Sequence, residues 1–159
     1  MQATNRRHNK VKIYTDGVCF NNSKQNAQSE AGIWFSQDDQ RNKAIHTPGN
    51  RHFNQRGELV ATITAIQAIP HFTPLVIVTD SEYIIKGLTT HLPYWEDAGW
   101  INIKNAQYFK KATHLLKQRI TMTHFRWVKG HNADEGNEGS NALAKEGARK
   151  PKTDQLDLL

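Results

Sequence analysis

Apolar and polar residues alternate along "VKIYTDG", Val11 to Gly17, and the stretch closes on Asp-Gly. Alternation predicts a half-buried strand, and the dipeptide predicts a turn after it. "AGIWFS" (Ala31 to Ser36) and "NKAIHT" (Asn42 to Thr47) read as two further strands, and "DDQR" between them predicts a hairpin. The period then changes. In "QRGELVATITAIQAI", Gln55 to Ile69, residues Leu59, Ile63, Ile66 and Ile69 share one helical face, and Pro70 stops the helix. "PLVIVTD" is a continuous apolar run of strand length, which suits a strand covered on both faces in mid-sheet. Ser81 is placed to cap a short helix, "EYIIKGL". "NAQYFKKATHLLKQR" is a second amphipathic helix and "ITMTHFRWV" a last strand. A final helix is expected from Glu138 to Arg149, with Asn141 on its first inward turn and Ala142, Leu143 and Ala144 on its apolar face. The order predicts an α/β chain with a mixed five-stranded sheet flanked by helices.

Composition narrows this only a little. The chain has 159 residues, the length of one domain with a core large enough to need no cross-links. Its one cysteine, Cys19, excludes an internal disulfide and suits a reducing, intracellular compartment, cytoplasmic or nuclear. No apolar run reaches the roughly 20 residues of a membrane helix. The expected layout is a disordered basic arm over residues 1–10, a domain over 11–150 and a flexible tail over 151–159. "MQATNRRHNK" is basic, but without a following apolar run it is not a secretory signal. A net charge of +6 fits a polyanionic partner and fits simple solubility equally well. The clustered positive charges are Lys104, Lys110, Lys111, Lys117 and Arg119.

Three acids stand where the predicted elements end or begin. Asp16 closes the first strand, Asp80 closes the central apolar strand, and Glu58 lies on the first turn of the long helix. Ligands of open sheets bind beyond strand ends, where neighbouring strands part. Three carboxylates converging there repel one another unless a divalent cation neutralises them. Hard oxygen ligands suit Mg²⁺ or Mn²⁺, and two such ions suit in-line displacement at phosphorus. Each acid also has an ordinary explanation: a turn residue before glycine, a strand-end cap, and a helix-dipole partner.

The stretches "YTDG", "NQRGEL", "VTDSEY" and "VKGHNADEGNEGSNALAKEGA" together resemble the four motifs of the ribonuclease H family, type-one class, in their order and spacing. The match runs from about Val11 to Lys150. The resemblance implies the ribonuclease H-like fold. It also implies an endoribonuclease that hydrolyses the RNA strand of RNA–DNA hybrids with two Mg²⁺ ions, for which Mn²⁺ can substitute. The family's metal-binding acids fall on Asp16, Glu58 and Asp80, and the fourth position, normally Asp, falls on Asn141. By resemblance Asp16 bridges both ions, Glu58 and Asp80 hold the ion on the leaving-group side, and Asn141 helps hold the ion that delivers the attacking water. An amide there implies a weaker site, whether the residue is native or was introduced to trap a substrate complex. His131 matches a histidine that assists proton transfer and product release, and Glu138 matches an acid beside the site.

The same resemblance implies how a hybrid is held. Asn22, Asn54 and Gln55 match side chains that contact the 2′-hydroxyls of the RNA strand, the feature by which RNA differs from DNA. Without it, Asn22 reads as a turn residue and Asn54 as a helix cap. Arg51 and Asn105 match two members of a DNA-phosphate pocket whose third, a threonine, is Phe53 here. Tyr83 matches an aromatic of the DNA channel, while His91 stands where the family has a tryptophan. Glu96 and Asp97 replace basic residues of the protrusion, where Trp95 and Trp100 are expected to pack internally. The expected partner is an RNA–DNA hybrid bound by a monomer, with no membrane. Two alternatives stay open: a hybrid-binding module with weakened catalysis, and the ribonuclease H domain of a retroelement reverse transcriptase.

Overall fold

The computed structural model describes residues 9–20, 28–47, 55–130 and 132–153. Five strands form one sheet in the order β3-β2-β1-β4-β5. They are β1 (Val11–Phe20), β2 (Gln28–Trp34), β3 (Lys43–His46), β4 (Leu75–Thr79) and β5 (Thr123–Trp127). β1, β2 and β3 pair antiparallel, whereas β4 lies parallel between β1 and β5. The apolar run of β4 is thus the mid-sheet strand its sequence predicts.

The Asp16–Gly17 dipeptide is not a turn. β1 runs through it to Phe20, with Asp16 opposite Gly32 and Gly17 opposite Ala31. A long antiparallel partner overrides the local turn preference, and β2 accordingly starts three residues before its expected first residue. β2 and β3 form the expected hairpin, closed by the Asn42 side chain, which accepts from the Phe35 amide at 2.7 Å.

Helix α1 (Arg56–Ala68) buries Leu59, Ile63 and Ile66 as expected, and also Val60, Ala61, Thr62 and Ala65. Its burial goes beyond one stripe because it lies between the sheet and α4 (Ala106–Lys117). Helix α2 (Glu82–Lys86) opens on the predicted Ser81 cap, whose Oγ accepts from the Ile84 amide at 3.2 Å. It continues through a wider π turn, Gly87–His91, into α3 (Leu92–Asp97), a helix not anticipated from the pattern. Trp95 sits among Phe109, Trp100 and His91, so both protrusion tryptophans pack internally as expected.

The opposite sheet face carries α5 (Glu135–Glu146), which is capped by Asp134 and begins at Glu135, three residues before the expected Glu138. Its buried stripe is Gly136, Asn137, Ser140 and Ala144, whereas Ala142 is exposed and Leu143 half-buried. The small stripe lets the helix sit close to the aromatic surface of Tyr14 and Trp34. Beyond it, Thr153 donates its amide to the His46 carbonyl, so the chain after α5 runs along the outer edge of β3.

Candidate active site

Residues on successive positions of β1 face opposite sides of the sheet. Gly17 faces α1: a Cβ there would lie 2.2 Å from the Glu58 amide nitrogen and 2.5 Å from the Gly57 carbonyl carbon. Only glycine at this point lets the first turn of α1 lie against the strand. That contact carries Glu58 to the sheet. Asp16 faces α5, and its cross-strand partner Gly32 clears the way for that helix. A Cβ on Gly32 would lie 2.3 Å from the Ser140 carbonyl oxygen, next to Asn141. β4 pairs with β1 only from Val11 to Tyr14, so Asp16 stands just past the paired region, where the two parallel strands part. Asp80 immediately follows the end of β4.

These placements bring Asp16, Glu58 and Asp80 together, with one oxygen of each within 4.8 Å of the others. Asp16 is 3% exposed and Glu58 9%, while Asp80 is half-buried. Asp16 Oδ1 accepts from the Gly17 amide at 2.9 Å, and Oδ2 accepts from Asn141 Nδ2 at 2.8 Å. Burial holds the Glu58 carboxyl well above the usual carboxylate range. The charge of Asp16, a hydrogen bond with it and the charge of Asp80 push the same way, against the Gly17 amide. Glu58 Oε2 is buried without a hydrogen-bond partner. A buried carboxylate oxygen left unmatched among two more acids fits an all-oxygen divalent cation site.

Two features of this site were not expected from sequence. The Trp127 indole donates to the Asp80 backbone carbonyl at 3.2 Å. Gly130 lies so close that a Cβ would stand 2.8 Å from Asp80 Oδ2. The isolated glycines within strand patterns, Gly17 and Gly32, were a readable signal of close backbone approach. A tryptophan at a strand end carries no such signal.

Of the expected substrate contacts, Gln55, Asn105 and Tyr83 fall within the described residues; Asn22, Arg51, Asn54 and the active-site candidate His131 lie outside them, as does Phe53. Gln55 is the residue before α1 and makes no side-chain cap, so its amide is not consumed by the helix end. Asn105 and Tyr83 are brought together: Asn105 Nδ2 donates to the Tyr83 hydroxyl at 3.3 Å. Asn105 holds a left-handed backbone, φ 59°, at the start of α4, and its Oδ1 is buried without a partner. Burial raises the Tyr83 phenol pKa and the Asn105 bond opposes the rise. Glu138 is exposed on the first turn of α5, where it complements the helix dipole.

The basic cluster is smaller than its sequence suggests. Arg119 is buried and donates to the Ile69 carbonyl at 3.0 Å and to the Thr73 carbonyl, tying the end of α1 to the α4–β5 connection. Lys117 pairs with Glu96 at 2.9 Å. Lys104 and Lys110 are exposed and Lys111 is half-exposed.

Comparison with known proteins agrees with this geometry. A family model described as RNase H matches residues 8–149. A Schizosaccharomyces pombe protein named Ribonuclease H is 35% identical over 141 residues, covering 86% of this chain and 52% of that protein. A Pseudomonas paraeruginosa Ribonuclease H is 31% identical over 150 residues, covering 86% of this chain and 92% of its own length. The chain therefore spans about half of the first relative and nearly all of the second. Among solved structures, LC9-RNase H1, described as a type 1 RNase H with the type 2 active-site motif, superposes with a TM-score of 0.72 at 26% identity. That superposition covers 88% of this chain and 72% of that one.

Proposed function

The chain belongs to the RNase H family, and on that premise we propose that it hydrolyses the RNA strand of RNA–DNA hybrids. The observation that carries the reading is the convergence of Asp16, Glu58 and Asp80 at the point where β1 and β4 part. In this reading Asp16, Glu58 and Asp80 hold divalent ions, Mg²⁺ with Mn²⁺ able to substitute, and Asn141 supplies a fourth, uncharged ligand. Bound there, the ions would neutralise the scissile phosphate and lower the pKa of the attacking water. A bound cation would favour the Glu58 carboxylate, which burial and the neighbouring acids disfavour. Asp16, fixed by Gly17 and Asn141, keeps its carboxylate between the other two acids and α5. Hydrolysis with the 3′-oxygen leaving gives 5′-phosphate and 3′-hydroxyl ends.

Gln55, with Asn22 and Asn54, recognises ribose 2′-hydroxyls, and Tyr83 and Asn105, with Arg51, hold the DNA strand. The hydrogen bond from Asn105 Nδ2 to the Tyr83 hydroxyl, which holds the two side chains together at the start of α4, supports their acting as one contact. His131 assists proton transfer and product release near the metal ions. Asn141, an uncharged amide at the fourth ligand position, is read as attenuating the site, whether native or introduced. The protein acts as an intracellular monomer; among the described residues no helix is long and apolar enough to cross a membrane.

The test is a hybrid with separate labels on its two strands, incubated with Mg²⁺ or with chelator. Cleavage of the RNA strand alone, and only with Mg²⁺, is expected. Cleavage in chelator, or equal cutting of both strands, contradicts the reading.

A further inference from the structure

Asp80 stands where the sheet stops. Thr79 and Trp127 are the last register pair of β4 and β5, and the Val128 amide donates to the Thr79 carbonyl at 3.0 Å. On the other side of Asp80, the Ser81 amide turns back to Thr79 Oγ1 at 3.0 Å and Ser81 caps α2. Asp80 is the residue that joins the ladder to the helix cap. Its carbonyl accepts the Trp127 indole N–H at 3.2 Å. Trp127 is 49% exposed, so its ring is not explained by core burial alone. Three residues on, Gly130 lies against the carboxylate itself: a Cβ there would stand 2.8 Å from Asp80 Oδ2, so a side chain would displace the carboxylate.

We infer that Trp127 is a positioning residue for the metal site: its indole N–H fixes the Asp80 peptide, and so the direction of the Asp80 carboxylate toward Asp16 and Glu58, with Gly130 bounding that carboxylate from outside. The inference rests on the proposed metal site. Water can replace the indole as a donor to the carbonyl, so losing the N–H costs the fold little. Water does not hold the peptide at one angle, and small errors in ligand direction matter at metal sites. Mg²⁺ demands near-ideal octahedral geometry at short distances, while Ca²⁺ accepts flexible coordination. A loosened Asp80 should therefore penalise Mg²⁺ more than Ca²⁺.

The test is calorimetric titration of the full chain with Mg²⁺ and, separately, Ca²⁺, in the wild type, Trp127→Phe and Gly130→Ala. Phe keeps an aromatic ring and removes the donor; Ala places a methyl group against Asp80 Oδ2 without touching the indole. In both variants Mg²⁺ affinity is expected to fall about tenfold, the low end of what outer partners of metal ligands contribute, with Ca²⁺ affinity changed less than about twofold. Unchanged Mg²⁺ affinity in Trp127→Phe overturns the inference, as does an equal loss for both ions, which would mark general loosening. A wild type that binds neither ion overturns the metal-site reading and this inference with it.

Discussion

Asn141 Nδ2 donates to Asp16 Oδ2 at 2.8 Å across the sheet–α5 interface. An amide at this position satisfies a buried carboxylate oxygen that a fourth acid would repel. The metal-free protein is thereby stabilised at the expense of ligand charge. Replacing Asn141 by Asp reverses the trade. Without divalent ions, Asn141→Asp is expected to lose on the order of 1–3 kcal/mol in urea unfolding, the cost of leaving a charged acceptor without its donor. With Mg²⁺ the loss should shrink, because ligand binding to the folded state stabilises it. Cleavage of hybrid should rise on the order of 10²-fold, about 2.7 kcal/mol of barrier. Unfolding in chelator and in Mg²⁺, beside single-turnover rates, checks both halves.

Gly32 ties that hydrogen bond to the backbone. A methyl group in Gly32→Ala has no space against the Ser140 carbonyl and must push α5 outward. Overpacking of this kind costs about 1–3 kcal/mol. Asn141 moves with the helix, so a rate loss beyond that caused by Asn141→Ala is expected. Thermal unfolding and hybrid cleavage of the two variants separate helix displacement from loss of the amide.

Glu30 provides a pH dependence away from the acids at the strand ends. It lies fully buried on β2, with both carboxylate oxygens lacking hydrogen-bond partners, 3.5 Å from His46 Nε2. Burial pushes its carboxyl up to about 7, against the charge of Lys152. Because the folded state holds this proton more tightly than the unfolded chain, the stabilising contribution is complete below the ordinary glutamate range. It is lost as pH rises toward and through 7. Glu30→Gln should flatten that slope. At pH 8 it should raise stability by on the order of 1–3 kcal/mol, the cost of an unsatisfied buried group. Urea unfolding from pH 5 to 8.5, comparing the two proteins, gives the answer; parallel slopes would assign the dependence to other groups.

Much of the fold could be read from periodicity. β4 announces its mid-sheet place by an unbroken apolar run, and α1 its inner face by Leu59, Ile63 and Ile66. The failures have a common physical origin in partners that are distant in sequence. Asp16–Gly17 reads as a turn because Ala31 and Gly57, which hold it extended and close-packed, lie far along the chain. The start of α5 is hidden because Gly136 and Gly139 disfavour a helix locally, whereas in the fold they are what lets it rest on Tyr14 and Trp34. Arg119 reads as surface charge because its acceptors, the carbonyls of Ile69 and Thr73, carry no sequence signature. The acids were legible through their motifs; the hydrogen bonds that aim them, from Asn141 and Trp127, were not.

The most direct test of the account is the cleavage rate of an RNA strand, labelled at its 5′ end and annealed to DNA, at saturating Mg²⁺, in the wild type and in Asp16→Asn. Asp16 is the carboxylate that stands between Glu58, Asp80 and Asn141, so its charge serves the whole site. The substitution keeps the side chain's shape, and circular dichroism should show an unchanged fold. A rate loss of about 10³-fold or more, worth about 4 kcal/mol at 1.36 kcal/mol per decade, is the predicted result. Equal rates in the two proteins would contradict the claim that these carboxylates carry out hydrolysis.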